Sequence, residues 1–160
     1  MAFRDEMPAM LKHAGVWEGI YIHMTPEGSI IDTHGARVEC VYPEAGDYDY
    51  IQYNHFTWDD GREHKATLPG VFRDGRLWWE TETFRGYGWQ TMDDIVLLNL
   101  ERYDEPGAMF FEMITLGEGG EHRARTWQWF KDGQLYKRTL CNERRVAVAE
   151  TGVRAATTTS

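Results

Sequence analysis

The stretch RARTWQWFKDGQLYKRT, residues 123–139, brings arginines and large aromatic side chains together around one tight turn. We take Asp132 and Gly133 as the two turn residues, because an Asp-Gly pair accepts the positive φ of a hairpin turn. The face with most of the aromatic area then consists of Arg125, Trp127, Trp129, Tyr136, Arg138 and Leu140. We expect this face to point inward. Arginines on that face need carboxylates or an anionic ligand, since a buried unpaired charge is costly. The alternative is that an arginine stacks on a tryptophan at one end of the barrel and contributes to stability alone.

Three further side chains are of types that move protons in enzymes. Alternation from Trp17 places Tyr21 and His23 on one side of a strand, where an imidazole that titrates near neutral pH lies beside a phenol donor. Glu112 lies in the alternating stretch AMFFEMITL, and an inward carboxyl there would have its pKa raised by desolvation. The competing interpretations are a structural histidine and a solvated glutamate. Our candidate catalytic residues are Tyr21, His23, Glu112 and Arg125.

Aromatic residues supply the candidate ligand-binding surface, since they make up 14% of the chain and include 7 tryptophans. The stretch YIQYNHFTW has two credible inward faces: Tyr53 and His55 lie on one side, and Gln52, Asn54 and Phe56 lie on the other. We take the first side as inward. The candidate ligand-binding residues are Trp17, Tyr53, His55, Trp79, Trp127, Trp129, Tyr136 and Arg138.

Short alternating stretches rich in β-branched and aromatic residues must position these side chains. They recur from VWEGIYIHM to QLYKRTLCNERRV and are separated by turn sequences such as RDGR and KDGQ. Apart from a short helix over residues 7–13, with Pro8 near its start, no helix of useful length is indicated. A sheet with one apolar face and no helix to cover it closes on itself. The pattern predicts an all-β fold, an up-and-down antiparallel barrel of about eight to ten strands with a short N-terminal helix.

The composition limits the domain count and the kinds of partner. At 160 residues the chain is long enough for one domain, and we predict a barrel over residues 1–148 and a disordered tail over residues 149–160. A net charge of -9 without a basic cluster disfavours nucleic acid as a partner. No apolar run approaches the length of a membrane span, and the N-terminus lacks an apolar signal region. We therefore expect a cytoplasmic protein without a membrane partner.

The sequence lacks the motifs that would indicate a bound cofactor or metal. It contains no G-x-S-x-G, Walker, Rossmann or H-E-x-x-H pattern, and its 2 cysteines and 6 histidines show no metal-ligand spacing. We therefore expect no cofactor and no metal, although a barrel can assemble a metal site from distant strands. The oligomeric state stays open, with a homodimer among the options.

The segment AGVWEGIY around Trp17 resembles the G-x-W signature of lipocalins and the wider calycin superfamily. The order VWEGIY, WDDGREH, GRLWW and DGQLYKRTLCNERRV is similar to that of small bacterial lipocalin-like proteins of unknown function and, more distantly, of nitrobindin-like haem barrels. The resemblance spans residues 11–146. It implies a closed barrel around a ligand cavity. It also implies that an arginine of the last strand packs on Trp17, with Arg138 or Arg144 as the counterpart.

These features support one leading hypothesis about function and three competing ones. The leading hypothesis is a cofactor-free isomerase, cyclase or lyase that acts by acid/base catalysis on a partly apolar aromatic, polyketide or terpenoid metabolite, whose anionic or enolisable oxygen Arg125 would bind. We prefer an enzyme because a carrier of apolar ligands would not need so many titratable residues on inward faces. The alternatives are an intracellular carrier or sensor of a hydrophobic ligand, a haem-binding nitrobindin-like barrel and a protein-interaction module. Because the last strand lacks a histidine, haem would require His23 or His55.

Overall fold

The alternating stretches form ten antiparallel strands in the computed structural model, which describes residues 2–148. Each strand pairs with its sequence neighbours, and the first also pairs with the last, so the sheet closes into a barrel without an open edge. The elements are α1 (Ala2–Glu6), α2 (Pro8–Leu11), β1 (Gly15–Met24), β2 (Ile30–Val41), β3 (Tyr50–Thr57), β4 (Glu63–Arg73), β5 (Arg76–Glu80), β6 (Phe84–Gln90), β7 (Val96–Arg102), β8 (Ala108–Leu116), a 3-10 turn (Glu118–Gly120), β9 (His122–Lys131) and β10 (Gln134–Ala147).

This architecture confirms the up-and-down barrel with a short helical N-terminus. The predicted helix over residues 7–13 is shorter than expected, and α1 precedes it. The tail predicted over residues 149–160 lies outside the described residues. None of the helices within residues 2–148 combines the length and the apolar character that a membrane-spanning helix requires.

The last hairpin has the predicted turn but not the predicted register. Asp132 and Gly133 adopt φ values of 49° and 80°, as a tight turn between twisted strands requires. A β-bulge after Leu135 then advances β10 by one residue, so that Lys137, not Tyr136, is the partner of Trp129. Because side chains alternate along a strand, this single step reverses the faces that we predicted for the rest of β10.

The helical N-terminus and a buried tryptophan close one end of the barrel. Trp17 is fully buried, and its indole Nε1 donates to the His13 carbonyl oxygen at 2.9 Å. The Arg145 guanidinium lies 4.4 Å from the centroid of the Trp17 ring. Its Nη2 also donates to the Lys12 carbonyl oxygen at 2.7 Å, which ties the end of β10 to the start of the chain. The arginine of the last strand that packs on Trp17 is therefore Arg145; the prediction of Arg138 or Arg144 is wrong.

His13 makes the stability of this closed end depend on pH. Its imidazole is buried, and its Nδ1 has no hydrogen-bond partner within the described part of the chain, residues 2–148. Burial, reinforced by repulsion from Arg123, lowers the pKa of His13 to about 3. Below about pH 6.5 the His13 imidazole is therefore protonated in the unfolded chain but stays neutral in the folded protein. Stability is lost as the pH falls below about 6.5.

We expect acidification from pH 7 to pH 5 to cost about 2 kcal/mol of folding free energy through His13 alone. Urea unfolding of the wild-type protein and of His13→Leu at both pH values measures this contribution. The variant should lose correspondingly less stability on acidification, whereas His122→Gln, at an exposed site, should behave like the wild type. An unchanged pH dependence in His13→Leu would show that the buried imidazole is not responsible.

Candidate functional site

A cavity of about 520 Å³ occupies the barrel on the side of its centre away from Trp17. This volume is in the range of pockets that hold small organic molecules. The wall is largely aromatic because alternate residues of each strand point inward. Its aromatic residues include Phe56, Trp79, Phe110, Trp127 and Trp129. Such a surface suits a flat, partly apolar ligand.

The structure brings most of the predicted site residues to this cavity. The candidate catalytic and ligand-binding residues that line it are Tyr21, His23, Trp79, Glu112, Arg125, Trp127 and Trp129. Trp17 does not line it, because this residue is fully buried at the closed end. Tyr136 lies in the β-bulge and Arg138 faces away from the cavity, where its Nη1 donates to the Pro26 carbonyl oxygen at 3.4 Å. The prediction that these three residues line the cavity is therefore wrong.

The predicted face of β3 is also wrong. Tyr50 is buried in the core beside Tyr42, and the period of two then turns Gln52 toward the cavity and not its neighbour Tyr53. His55 lies on the outer face, where its Nε2 is 3.0 Å from a Glu63 carboxylate oxygen. Neither Tyr53 nor His55 lines the cavity, so His55 cannot ligate a haem held there.

The floor of the cavity is a buried network of charged groups. Arg125 lies 2.8 Å from Glu112 through Nε, and its Nη1 donates to the Tyr21 hydroxyl at 2.7 Å and to Glu143 at 3.3 Å. Glu143 also forms a bidentate pair with Arg123, at 2.8 and 3.1 Å. Two guanidinium groups thus face two carboxylates, and the network needs no anionic ligand to balance it.

Burial and charge set the protonation of this network. Burial raises the pKa of Tyr21 well above its ordinary value, and Arg125 only partly opposes this. Burial also raises the pKa of Glu112 in spite of the attraction of Arg125. Burial acts in the same direction on Glu143, but there the attraction of Arg123 and Arg125 outweighs it and the pKa falls. The Tyr21 hydroxyl therefore keeps its proton, and the floor suits a hydrogen bond to a neutral ligand oxygen better than capture of a full anion.

A histidine that sequence reasoning did not select, His34, also lines the cavity. His34 Nδ1 is 3.0 Å from Asp32 Oδ2, and the Trp58 indole Nε1 donates to the same carboxylate at 3.0 Å. Because a carboxylate only accepts, His34 donates through Nδ1, and in the neutral ring Nε2 carries the lone pair. His34 is 6% exposed, and its Nε2 has no hydrogen-bond partner among residues 2–148. This is the arrangement of an oriented general base.

The His23 ring lies beside the His34 ring, with 5.2 Å between centroids. Its Nδ1 is 2.7 Å from the Thr139 hydroxyl, which also accepts a hydrogen bond from Trp129 Nε1 at 2.8 Å. Burial, followed by repulsion from Lys137, lowers the pKa of His23 to about 4. The ring is therefore neutral at pH 7.

The barrel also assembles a possible metal-binding set that the sequence spacing did not predict. One donor atom from each of His23, Asp32 and His34 lies within 4.8 Å of the other two. Two imidazoles and a carboxylate are suitable ligands for a divalent transition metal. The hydrogen bond between Asp32 and His34 orients an imidazole equally well for proton transfer, so the geometry permits either use.

The sequence matches no protein-family model and no curated protein sequence, whereas several solved structures share its fold. One is a protein of unknown function of the DUF3598 family from Nostoc punctiforme, with a TM-score of 0.67 and 17% identity over 86% of this chain and 49% of that one. This chain therefore spans about half the length of the Nostoc protein.

Two further structures match over most of their length. The S-type phycobiliprotein lyase CPES from Guillardia theta has a TM-score of 0.67 and 13% identity over 85% of this chain and 89% of its own. Rv2717c from M. tuberculosis has a TM-score of 0.60 and 15% identity over 88% of this chain and 96% of its own. These similarities confirm a closed, lipocalin-like barrel fold. At such identities the likeness concerns the fold alone.

Proposed function

We propose that this protein binds a small, partly apolar carbonyl or phenolic compound inside the barrel and catalyses a proton transfer on it without a cofactor. The observation that carries the proposal is the buried, unpartnered Nε2 of His34, oriented by Asp32 at the wall of an aromatic cavity. A buried polar atom without a partner is unfavourable, and because His34 lines the cavity, a ligand hydrogen would satisfy its Nε2. Isomerisation, cyclisation and elimination all begin with such a proton transfer.

The surrounding groups support proton abstraction next to a ligand carbonyl. His34 Nε2 accepts the proton, and Asp32 stabilises the imidazolium that forms. The electron pair of the broken C–H bond moves toward the carbonyl oxygen as an enolate develops. The Tyr21 ring lies 5.0 Å from the His34 ring, and its hydroxyl already accepts from Arg125, so its own hydrogen can be donated to that oxygen. Return of the proton from His34 to another atom completes an isomerisation.

This assignment moves the base from the residues that the sequence favoured. Glu112 is paired with Arg125, so it is less available for proton transfer than His34. Tyr21 keeps a role as hydrogen-bond donor, and Arg125 acts through the hydrogen bond that it donates to the Tyr21 hydroxyl. A lyase with the same fold shows only that such a barrel can belong to an enzyme.

The test is hydrogen–deuterium exchange of small aromatic ketones and β-dicarbonyl compounds in D₂O, followed by NMR. We expect the wild-type protein to exchange at least one compound, and His34→Gln to reduce the rate about 10²- to 10⁴-fold while binding, measured by tryptophan fluorescence, is retained. His55→Gln is the matched control, because His55 also pairs with a carboxylate but lies on the outer face.

Two results would contradict the proposal. Saturable binding without exchange by the wild-type protein would favour the carrier or sensor. Exchange that EDTA abolishes and Zn²⁺ restores would assign His23, Asp32 and His34 to a metal ion and rule out proton transfer without a cofactor. An absorbance spectrum of the purified protein tests the haem alternative in the same preparation.

A further inference from the structure

The β-bulge in β10 turns one lysine into the cavity. Lys137 follows the bulge and pairs with Trp129, so its side chain points inward and not outward as alternation from the turn predicts. Its Nζ lies 4.0 Å from the centroid of the Trp129 ring. This amine is therefore held against the apolar wall of the ligand cavity.

The surroundings of Lys137 differ from those of the other three lysines in the chain. Lys12 lies 2.8 Å from Asp94, Lys131 lies 3.4 Å from Glu105, and Lys65 is exposed. Lys137 is half-buried and forms no ion pair with a carboxylate among residues 2–148. It is thus the one lysine of the four that lines the cavity.

Burial and a neighbouring cation favour the neutral form of the Lys137 amine. The Arg102 guanidinium lies 5.7 Å from the centroid of the same Trp129 ring and is held by Asp104 at 2.6 Å. Burial, and then repulsion from Arg102, lowers the pKa of Lys137, and the carboxylates of Glu105 and Asp32 oppose this. Desolvation beside a second cation is how lysines are activated as nucleophiles.

We propose that Lys137 binds an aldehyde or ketone group of the cavity ligand covalently, as an imine. The neutral amine attacks the carbonyl carbon, and the carbonyl oxygen takes up one of the amine protons to give a carbinolamine. Loss of the hydroxyl group with the second amine proton, as water, leaves the C=N bond. Atoms and electrons balance, and no oxidant or reductant is needed. The inference rests on the proposed function, since it names carbonyl compounds as the ligand class of that cavity.

Imine formation would also assist proton transfer by the neighbouring histidines. A protonated imine withdraws electrons more strongly than a carbonyl, so an adjacent C–H bond loses its proton more readily. The Thr139 hydroxyl contacts both His23 Nδ1 and Trp129 Nε1, and Lys137 packs on that tryptophan ring. The His23 ring in turn neighbours that of His34. Lys137 would thus hold the ligand, and His34 would move its proton.

The experiment uses cinnamaldehyde as the carbonyl probe and cinnamyl alcohol as a probe that cannot form an imine. The full-length protein is incubated with the aldehyde and sodium cyanoborohydride, and the adducts are located by intact mass and peptide mapping. Binding of the alcohol is followed by tryptophan fluorescence. We expect one adduct at Lys137, its loss in Lys137→Arg, which keeps the positive charge over Trp129, and its retention in Lys131→Met.

The two probes separate failure of this inference from failure of the proposed function. Saturable binding of the alcohol, with the aldehyde adducts spread over all four lysines or absent, would overturn imine formation and leave cavity binding intact. If the alcohol does not bind and no aldehyde adduct forms, both proposals are contradicted for this class of ligand. An adduct that persists at full yield in Lys137→Arg would place the reactive amine elsewhere and overturn the assignment.

Discussion

Replacement of Arg125 by methionine is expected to lower the free energy of unfolding by about 3–5 kcal/mol, since removal of one partner leaves a buried charge uncompensated. Arg125 is 6% exposed and contacts Glu112, Glu143 and the Tyr21 hydroxyl. Glu143 keeps Arg123 as its partner in the variant. Glu112 keeps no ion-pair partner among the described residues, because its ion pair there is the one with Arg125.

Glu112→Gln in the same background tests this explanation. The double variant removes both charges of the pair, so it should be more stable than Arg125→Met alone. Chemical denaturation of the wild type, the two single variants and the double variant gives the coupling energy directly. Arg85→Met is the surface control: it breaks the exposed pair with Glu101 at 3.4 Å, which should change stability little.

The pH dependence of the Arg125→Met defect follows from Glu112. Burial already raises the pKa of this carboxyl, and loss of Arg125 raises it further. Above the ordinary carboxyl pKa the unfolded chain releases this proton, whereas the folded variant keeps it up to the raised pKa of Glu112. The stability of the variant therefore falls as the pH rises between these two pKa values. We expect the defect to shrink on acidification. A defect that is small at all pH values would mean that water reaches the network and solvates Glu112.

Local sequence signals predict the barrel well because they act between near neighbours. Alternation of apolar and polar residues marks the strands, and the Asp-Gly pairs mark the hairpins. Asp74–Gly75 and Asp132–Gly133 both have positive φ at each residue. Once the strands are consecutive hairpins and no long helix covers the sheet, closure is the remaining way to bury its apolar face.

The facing of individual strands is less predictable, because it depends on contacts between distant residues. On β3, both faces carry aromatic residues, and the packing of Tyr50 against Tyr42 decides between them. On β10, no sequence signal that we recognised marks the bulge between Leu135 and Lys137. A bulge of one residue is enough to exchange the inward and outward sets.

The base proposed for catalysis did have a signal in the sequence. Asp32 and His34 are two residues apart in IDTHG and therefore share one face of a strand, which allows a carboxylate to orient an imidazole. The indole of Trp58 joins them only through the pairing of strands, since it lies 26 residues from Asp32 in sequence. The pair was predictable, and the burial of His34 was not.

The second large effect concerns Trp17, which we had assigned to ligand binding. Trp17→Ala should lower the free energy of unfolding by about 3–5 kcal/mol, as expected for a buried tryptophan removed from a core. The side chain is 0% exposed, and the variant loses both the hydrogen bond to the His13 carbonyl oxygen and the ring on which Arg123 and Arg145 pack. Trp78→Ala, at the outer surface, is the matched control and should cost far less.

Trp17→Phe separates a structural role from a ligand-binding role. Phenylalanine keeps an aromatic ring beneath the arginines but cannot donate to the His13 carbonyl oxygen, so a loss of about 1–3 kcal/mol is expected. Trp17 is not among the residues that line the cavity, and cinnamyl alcohol should therefore bind the variant as tightly as the wild type. Denaturation and a fluorescence titration measure the two quantities on the same sample. Weaker binding with unchanged stability would return Trp17 to the ligand site; reduced stability with unchanged binding would make it the residue that closes the barrel.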